Sequence, residues 1–248
     1  MSKLLEVKHL SKKYHSLDGE IQAIDDISFD INSDEFIVIV GPSGCGKSTL
    51  ISIIANLLDK SSGEIKFYKE NPIIGYMFQE DALFDHYHIL DNLLLGLKIQ
   101  KRLNKDSKEY VIKLAKKYGL DNWLDKYPKD LSGGMKQRCA LIRTLAIQPD
   151  LLILDEPFSA LDYKNRLLVA DDVYQMIRDY KKSTIMVTHD ISEAISLADK
   201  VIVLSSSPSK IKSIYDISIS KEMLPSERRN SDLFTKYYDR IWKDLNDV

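Results

Sequence analysis

The chain has 248 residues, 44% of them hydrophobic and 29% charged, which is enough apolar material for a sizeable core and argues against a disordered polymer. Its 35 Lys and Arg nearly balance 37 Asp and Glu for a formal net charge of −2, so the basic footprint of a nucleic-acid binder is missing. No apolar run approaches the roughly 20 residues of a bilayer-spanning helix, Glu6 interrupts any secretory segment, and Cys45 and Cys139 have neither metal-ligand nor disulfide spacing. These features predict a cytoplasmic protein.

Residues 3–31 alternate apolar and polar positions around the turn-rich Ser16-Leu17-Asp18-Gly19, which predicts an antiparallel entry sheet. The continuous apolar run 36–40 predicts a buried strand, and helical periodicity follows over 48–58. Between them, Gly41-Pro42-Ser43-Gly44-Cys45-Gly46-Lys47-Ser48 fits GxxxxGK followed by Ser or Thr, in the strand-loop-helix context that this motif requires. Glycines let successive N–H groups point inward at phosphate oxygens, and the helix N-terminus adds partial positive charge. Lys47 is expected to hold the β- and γ-phosphates and Ser48 to ligate Mg²⁺, with Thr49 closing the ATP-binding set.

From about 81 to 148 the character changes: helical periodicity recurs over 89–98, 107–118 and 134–146 with no convincing strand between, which predicts an inserted helical subdomain. His86-Tyr87-His88 lacks the spacing of a metal-ligand set and reads as an exposed or interface loop. Strands return at 151–154, 184–187 and 201–204, alternating with helical segments over 163–180 and 191–197, as in a mostly parallel sheet. The last segment, 232–245, is amphipathic, with Leu233, Tyr237, Ile241 and Leu245 on one face.

The run Leu151-Leu152-Ile153-Leu154-Asp155-Glu156 puts two acids at the C-terminal tip of a buried strand, the edge at which open α/β sheets bind ligands. There Asp155 would orient Mg²⁺ and Glu156 would polarise an attacking water as general base. These two motifs alone leave a GTPase or a small-molecule kinase open, and Asn104-Lys105-Asp106-Ser107 is one residue off the guanine-reading Asn-Lys-x-Asp pattern. Leu131-Ser132-Gly133-Gly134-Met135 narrows the class: a hydroxyl and two glycines before a helix make a second anion site.

In order, the chain carries the phosphate loop, Gln79 in Met77-Phe78-Gln79-Glu80, Ser132-Gly133-Gly134, Asp155-Glu156, Ser159-Ala160-Leu161-Asp162 and Thr188-His189-Asp190. With these six motifs it resembles the ABC ATPase family over essentially its whole length. The resemblance implies an α/β fold, a P-loop NTPase core of RecA type with a mostly parallel sheet, an antiparallel β subdomain and an inserted α-helical subdomain. It implies one cassette: 1–80 with 149–206 as nucleotide-binding core and β subdomain, 81–148 as helical subdomain, 207–248 as tail.

The resemblance also implies roles. Gly41, Pro42, Ser43, Gly44, Cys45, Gly46, Lys47, Ser48 and Thr49 hold ATP, and Tyr14 stacks on adenine. Gln79 reaches Mg²⁺ or the lytic water alongside Ser48 and Asp155, and His189 contacts the γ-phosphate and supports Glu156. Ser132, Gly133 and Gly134 meet the nucleotide of an opposite subunit in a homodimer, and Asp162 shapes that interface. A lone cassette with Met-Lys-Gln-Arg after the glycines looks like the ATPase of a bacterial importer, on the cytoplasmic side of the membrane, with permease subunits and, indirectly, a solute-binding protein as partners and no nucleic acid. It is similar to the nitrate/sulfonate/taurine group, although Ser207-Pro208-Ser209-Lys210 stands where that group often has arginine-proline-glycine-arginine, and Phe84-Asp85-His86-Tyr87 replaces its Leu-Pro-Trp. The alternative is a soluble ABC-type ATPase of DNA repair or translation.

Overall fold

The computed structural model describes residues 2–16 and 19–246. The alternating N-terminal segment forms two long strands, β1 (Lys3–Ser16) and β2 (Gly19–Asn32), paired antiparallel with Leu5 opposite Ile31 and Ser16 opposite Gly19. Leu17 and Asp18 of the expected turn lie outside the described residues. Next come β3 (Phe36–Val40), α1 (Lys47–Ile54), β4 (Ser62–Phe67), β5 (Ile74–Met77), α2 (Ile89–Ile99), α3 (Lys105–Lys117) and α4 (Gly133–Ala146). The order continues as β6 (Leu151–Asp155), α5 (Tyr163–Asp179), β7 (Ser183–Thr188), α6 (Ile191–Leu197), β8 (Lys200–Leu204), β9 (Ile211–Asp216), α7 (Pro225–Arg228) and α8 (Asp232–Asn246).

A three-stranded antiparallel sheet, β2-β1-β4, faces a six-stranded sheet of order β5-β6-β7-β3-β8-β9. The larger sheet is parallel except for β9, which pairs antiparallel with β8. Period-two alternation divides its side chains between two cores. Ile37, Ile39, Leu151, Ile153, Ile185 and Val187 pack with α1 and the small sheet. Phe36, Val38, Val40, Leu152, Leu154 and Met186 pack with the helices on the other face. Burial on both faces is why β3 and β6 appear in sequence as unbroken apolar runs.

Helix starts are fixed locally by side-chain caps, each contributing about 1 kcal/mol. Asn104 caps α3 in a reciprocal box with Ser107, Ser132 caps α4, Asp162 caps α5 and Asp190 caps α6. Three features depart from the sequence expectations. The helix α1 ends at Ile54 rather than near 58, because Asn56 turns left-handed at φ 57°. Strands β4, β5 and β9 are additional. On α8, Leu233 is exposed, and the face that packs inward is Phe234, Tyr237, Tyr238, Ile241 and Leu245. Among the described residues no helix is long and apolar enough to cross a membrane.

Candidate functional site

Because β6, β7 and β3 are neighbours in parallel register, the loops leaving their C-terminal ends open onto one edge. The loop after β3 bends on Gly44 and Gly46, whose φ of 75° and 107° lie in the left-handed region that glycine adopts freely. Gly41 is needed for a different reason: a Cβ there would lie 2.8 Å from Cys45 Sγ and 3.2 Å from Leu204 Cβ. Cys45 is buried, which pushes its thiol up. Lys47 is folded into the loop, its Nζ donating to the carbonyls of Gly41 at 2.8 Å and Pro42 at 3.0 Å. A phosphate entering the cradle would take over these bonds.

Ser48 opens the exposed side of α1, and its hydroxyl donates to Asp155 Oδ1 at 3.0 Å. The other Asp155 oxygen accepts from Tyr76 Oη at 3.1 Å. Burial raises the Asp155 carboxyl from its ordinary value and pushes the Tyr76 phenol up to about 12. Glu156 stands just past β6 with φ 44°, an uncommon conformation for a non-glycine residue, held by its own N–H donating to Val187 O at 3.0 Å. That backbone turn aims Oε2 at His189 Nδ1, 3.1 Å away. An ionised carboxylate can only accept, so Nδ1 carries the proton and Nε2 is left free.

Behind His189, Thr188 Oγ1 donates to the buried Glu193 at 2.7 Å, and Arg166 reaches Asp190 at 3.5 Å and Glu193 at 3.7 Å. This network fixes the start of α6 and with it the histidine.

The remaining expected residues are placed around this edge. Tyr14 is exposed on β1, its Oη 3.2 Å from Thr49 Oγ1 and its ring 5.1 Å from Lys12 Nζ. Gln79 is exposed two residues beyond β5, and β5 pairs with β6 so that Met77 sits beside Leu154. Buried Asn92 organises the loop that follows by bonding Phe84 N–H and the carbonyls of Phe84, Tyr87 and His88. His86, Tyr87 and His88 are exposed in it. Ser132 is exposed as the cap of α4, accepting from Met135 N–H at 3.4 Å. Asp162 caps α5 through Asn165 N–H at 3.1 Å, which lowers its carboxyl. The structure thus gathers the phosphate loop, Asp155, Glu156 and His189 at one edge, and sets Ser132 at the start of a separate helix.

Comparison with known proteins agrees with this arrangement. A family profile described as ABC transporter matches residues 24–159. The uncharacterized ABC transporter ATP-binding protein YtlC of Bacillus subtilis is 44% identical over 252 residues, 98% of this chain and 96% of that one. The chain belongs to the ABC transporter family. As an ABC cassette it binds ATP and is an ATPase. The sulfate/thiosulfate import ATP-binding protein CysA of Pseudomonas putida is 39% identical over 81% of this chain and 64% of its own length. Among solved structures, the dimeric bacterial ABC transporter cassette MJ0796 superposes with a TM-score of 0.74 at 26% identity, over 86% of this chain and 99% of that one. A second dimeric structure of that cassette, in a post-hydrolysis state with ADP and Pi, gives 0.70 at 27% identity, over 84% and 98%.

Several residues of this ABC cassette had no sequence signal. Tyr76 holds Asp155 from a four-residue strand. Arg143, on α4, donates to the carbonyls of Asp81 and Ala82 at 2.7 Å each, tying the helix that Ser132 caps to the loop that carries Gln79. Gly133 and Gly134, which with Ser132 make up the signature turn, also have a packing reason: a Cβ on Gly133 would meet Leu161 Cδ2 at 3.3 Å, and one on Gly134 would meet Val169 Cγ2 at 3.0 Å.

Proposed function

We propose that the chain is the ATP-hydrolysing subunit of a bacterial importer for a small solute, working as a nucleotide-sandwiched homodimer under a permease. The observation that carries this reading is the separation of two anion sites on one chain. One is the glycine cradle with Lys47, and the other is the exposed Ser132 turn on a different element. Each covers one side of a triphosphate, so a second copy is needed to enclose it.

In this reading Tyr14 offers its ring to adenine and the loop from Gly41 to Thr49 wraps the phosphates. Ser48 Oγ and Asp155 Oδ1, 3.0 Å apart, are hard oxygen donors of the kind that suit Mg²⁺, and Gln79 is the third candidate from the adjoining strand end. When bound, the ion would neutralise charge on the phosphate oxygens. Glu156 accepts a proton from the attacking water, and His189 orients that carboxylate through Nδ1 while its free Nε2 faces the γ-phosphate. Ser132, Gly133 and Gly134 of the opposite copy cap that phosphate, and Asp162 positions the adjoining loop. ATP then favours the closed pair only through contacts that the open pair lacks.

A solute of the nitrate, sulfonate or taurine kind is supported by the Phe-Gln-Glu segment and by the similarity to a sulfate/thiosulfate import ATP-binding protein. Ser207 to Lys210 replaces that group's basic run with a packing element. Ser209 is buried, exchanging backbone bonds with Ala23 and Asp25 at 3.0 and 2.9 Å, and its hydroxyl would lie 3.5 Å from a Cβ on Gly46. The permease is expected to dock on the helical subdomain, beside Gln79.

The test is Glu156→Gln. It should bind ATP, lose a factor of about 10² to 10⁴ in hydrolysis, and elute as an ATP-dependent dimer that also co-purifies with a membrane permease. Turnover at the wild-type rate would remove Glu156 from the chemistry, and a strictly monomeric ATP-bound variant would remove the sandwich.

A further inference from the structure

Phe234, Tyr238 and Trp242 recur at four-residue intervals on α8 and form a ladder. Ring centroids of the first pair are 6.5 Å apart with planes 24° from parallel, and those of the second are 6.1 Å apart at 11°. The ladder ends in a cleft of about 520 Å³ lined on one side by Tyr238, Trp242 and Leu245 and on the other by Pro42, Ser43 and His189. Trp242 is 54% exposed, although its neighbour Ile241 is fully buried.

That exposure is not the fraying of a loose terminus. Tyr237 Oη donates to Asp216 O at 2.9 Å and accepts from Ser218 N–H at 3.0 Å. Two residues beyond Trp242, the Asp244 carboxylate accepts from Tyr215 Oη at 2.6 Å and from the Ser213 hydroxyl, while Lys212 Nζ donates to its carbonyl at 2.6 Å. The helix is anchored on both sides of a large indole held outward, so little conformational freedom would be lost if something covered it.

We infer that this cleft takes a second copy of the chain and that Trp242 is an aromatic anchor of the ATP-bound pair. The inference rests on the sandwich reading above and extends its interface. A partner laid over Pro42, Ser43 and His189 meets Trp242 in the same cleft, so the rim is continuous with the surface that the triphosphate site already needs covered. The opposite half-site offers apolar surface of its own. Beyond the Asp162 cap, next to the loop packed on Gly133, Tyr163 and Leu168 of α5 are 70% and 56% exposed. Buried aromatics in such positions dominate interface energetics.

The test uses the Glu156→Gln chain with ATP. Trp242→Ala should raise the dissociation constant of its ATP-dependent dimer about thirtyfold, with nucleotide affinity of the monomer retained. Leu57→Ala, at a similarly exposed apolar residue outside the cleft lining, should leave the dimer unchanged. Because the chain has two tryptophans, Trp123→Phe makes Trp242 the sole reporter without disturbing α8. On ATP-driven pairing its emission should move to shorter wavelength and become shielded from a soluble quencher. Pairs that form with unchanged emission and tolerate Trp242→Ala would overturn the inference while leaving the sandwich intact. Emission that shifts only with permease would assign the surface to the membrane subunit and overturn it as well. If no pair forms while Trp242 is present, the sandwich itself fails, and the inference with it.

Discussion

The two halves of the proposed nucleotide site are built in different ways. The phosphate-loop half lies at the meeting of four strand ends: Lys47 is buried and held by two carbonyls, and Ser48, Asp155 and Tyr76 form a continuous chain of hydrogen bonds. The signature half is one exposed serine at a helix start, with a single capping bond of 3.4 Å to its own backbone. Its preorganisation lies underneath, in glycines that let α4 press against Leu161 and Val169. The contrast suggests that the first half binds nucleotide by itself, whereas the second acts only on what another copy presents.

Paired substitutions at the two halves would break or sharpen that contrast. Lys47→Ala removes the one cation in the cradle, and hydrogen bonds to charged groups are worth about 1.5–3 kcal/mol each. Monomer ATP affinity measured by titration calorimetry should fall about a hundredfold or more, and hydrolysis with it. Ser132→Ala should leave monomer affinity where it was and lower steady-state hydrolysis about tenfold, since in the proposed pair the hydroxyl meets phosphate only across the interface. Should Ser132→Ala weaken monomer binding as much as Lys47→Ala does, both halves would be serving one nucleotide within one chain.

The same difference in construction explains what could be read from sequence. Strands β3, β6, β7 and β8 carry apolar runs of three to five residues because both faces of the sheet are covered, and their bounds fall within about one residue of expectation. Strand β4 mixes Ser62, Gly63, Glu64 and Lys66 on a largely exposed face, so no period stands out. Strand β5 has four residues, with Gly75 in it because a Cβ would meet Thr144 Cγ2 at 2.7 Å, and short glycine-bearing runs look like turns. Strand β9 is a half-exposed edge. Among site residues, those in contiguous motifs were legible because a single loop must supply several groups at fixed spacing. Tyr76, Arg143 and Arg166 act across separations that only the folded topology closes, such as the 79 residues between Tyr76 and Asp155.

The smallest expected effect concerns the support behind His189. Glu193 is buried, with Thr188, Asp190, Arg166 and Arg229 facing it, and burial pushes its carboxyl up from an ordinary 4.5 to about 6. A carboxyl whose pKa is higher in the folded state binds its proton more tightly there. Its stabilising contribution is therefore complete below pH 4.5, is lost as pH rises through 6, and above that the ionised side chain is held at a cost of about 1–2 kcal/mol. Glu193→Gln keeps the shape and an acceptor for the Thr188 hydroxyl while removing the titration. Relative to wild type, its melting temperature should rise by a few degrees between pH 4.5 and pH 7, and its ATPase profile should keep its shape, since Glu193 touches His189 only through Thr188 and the start of α6. Parallel melting curves across that interval would mean that folding leaves the proton affinity of Glu193 where it is in the unfolded chain, with Arg166 offsetting the burial.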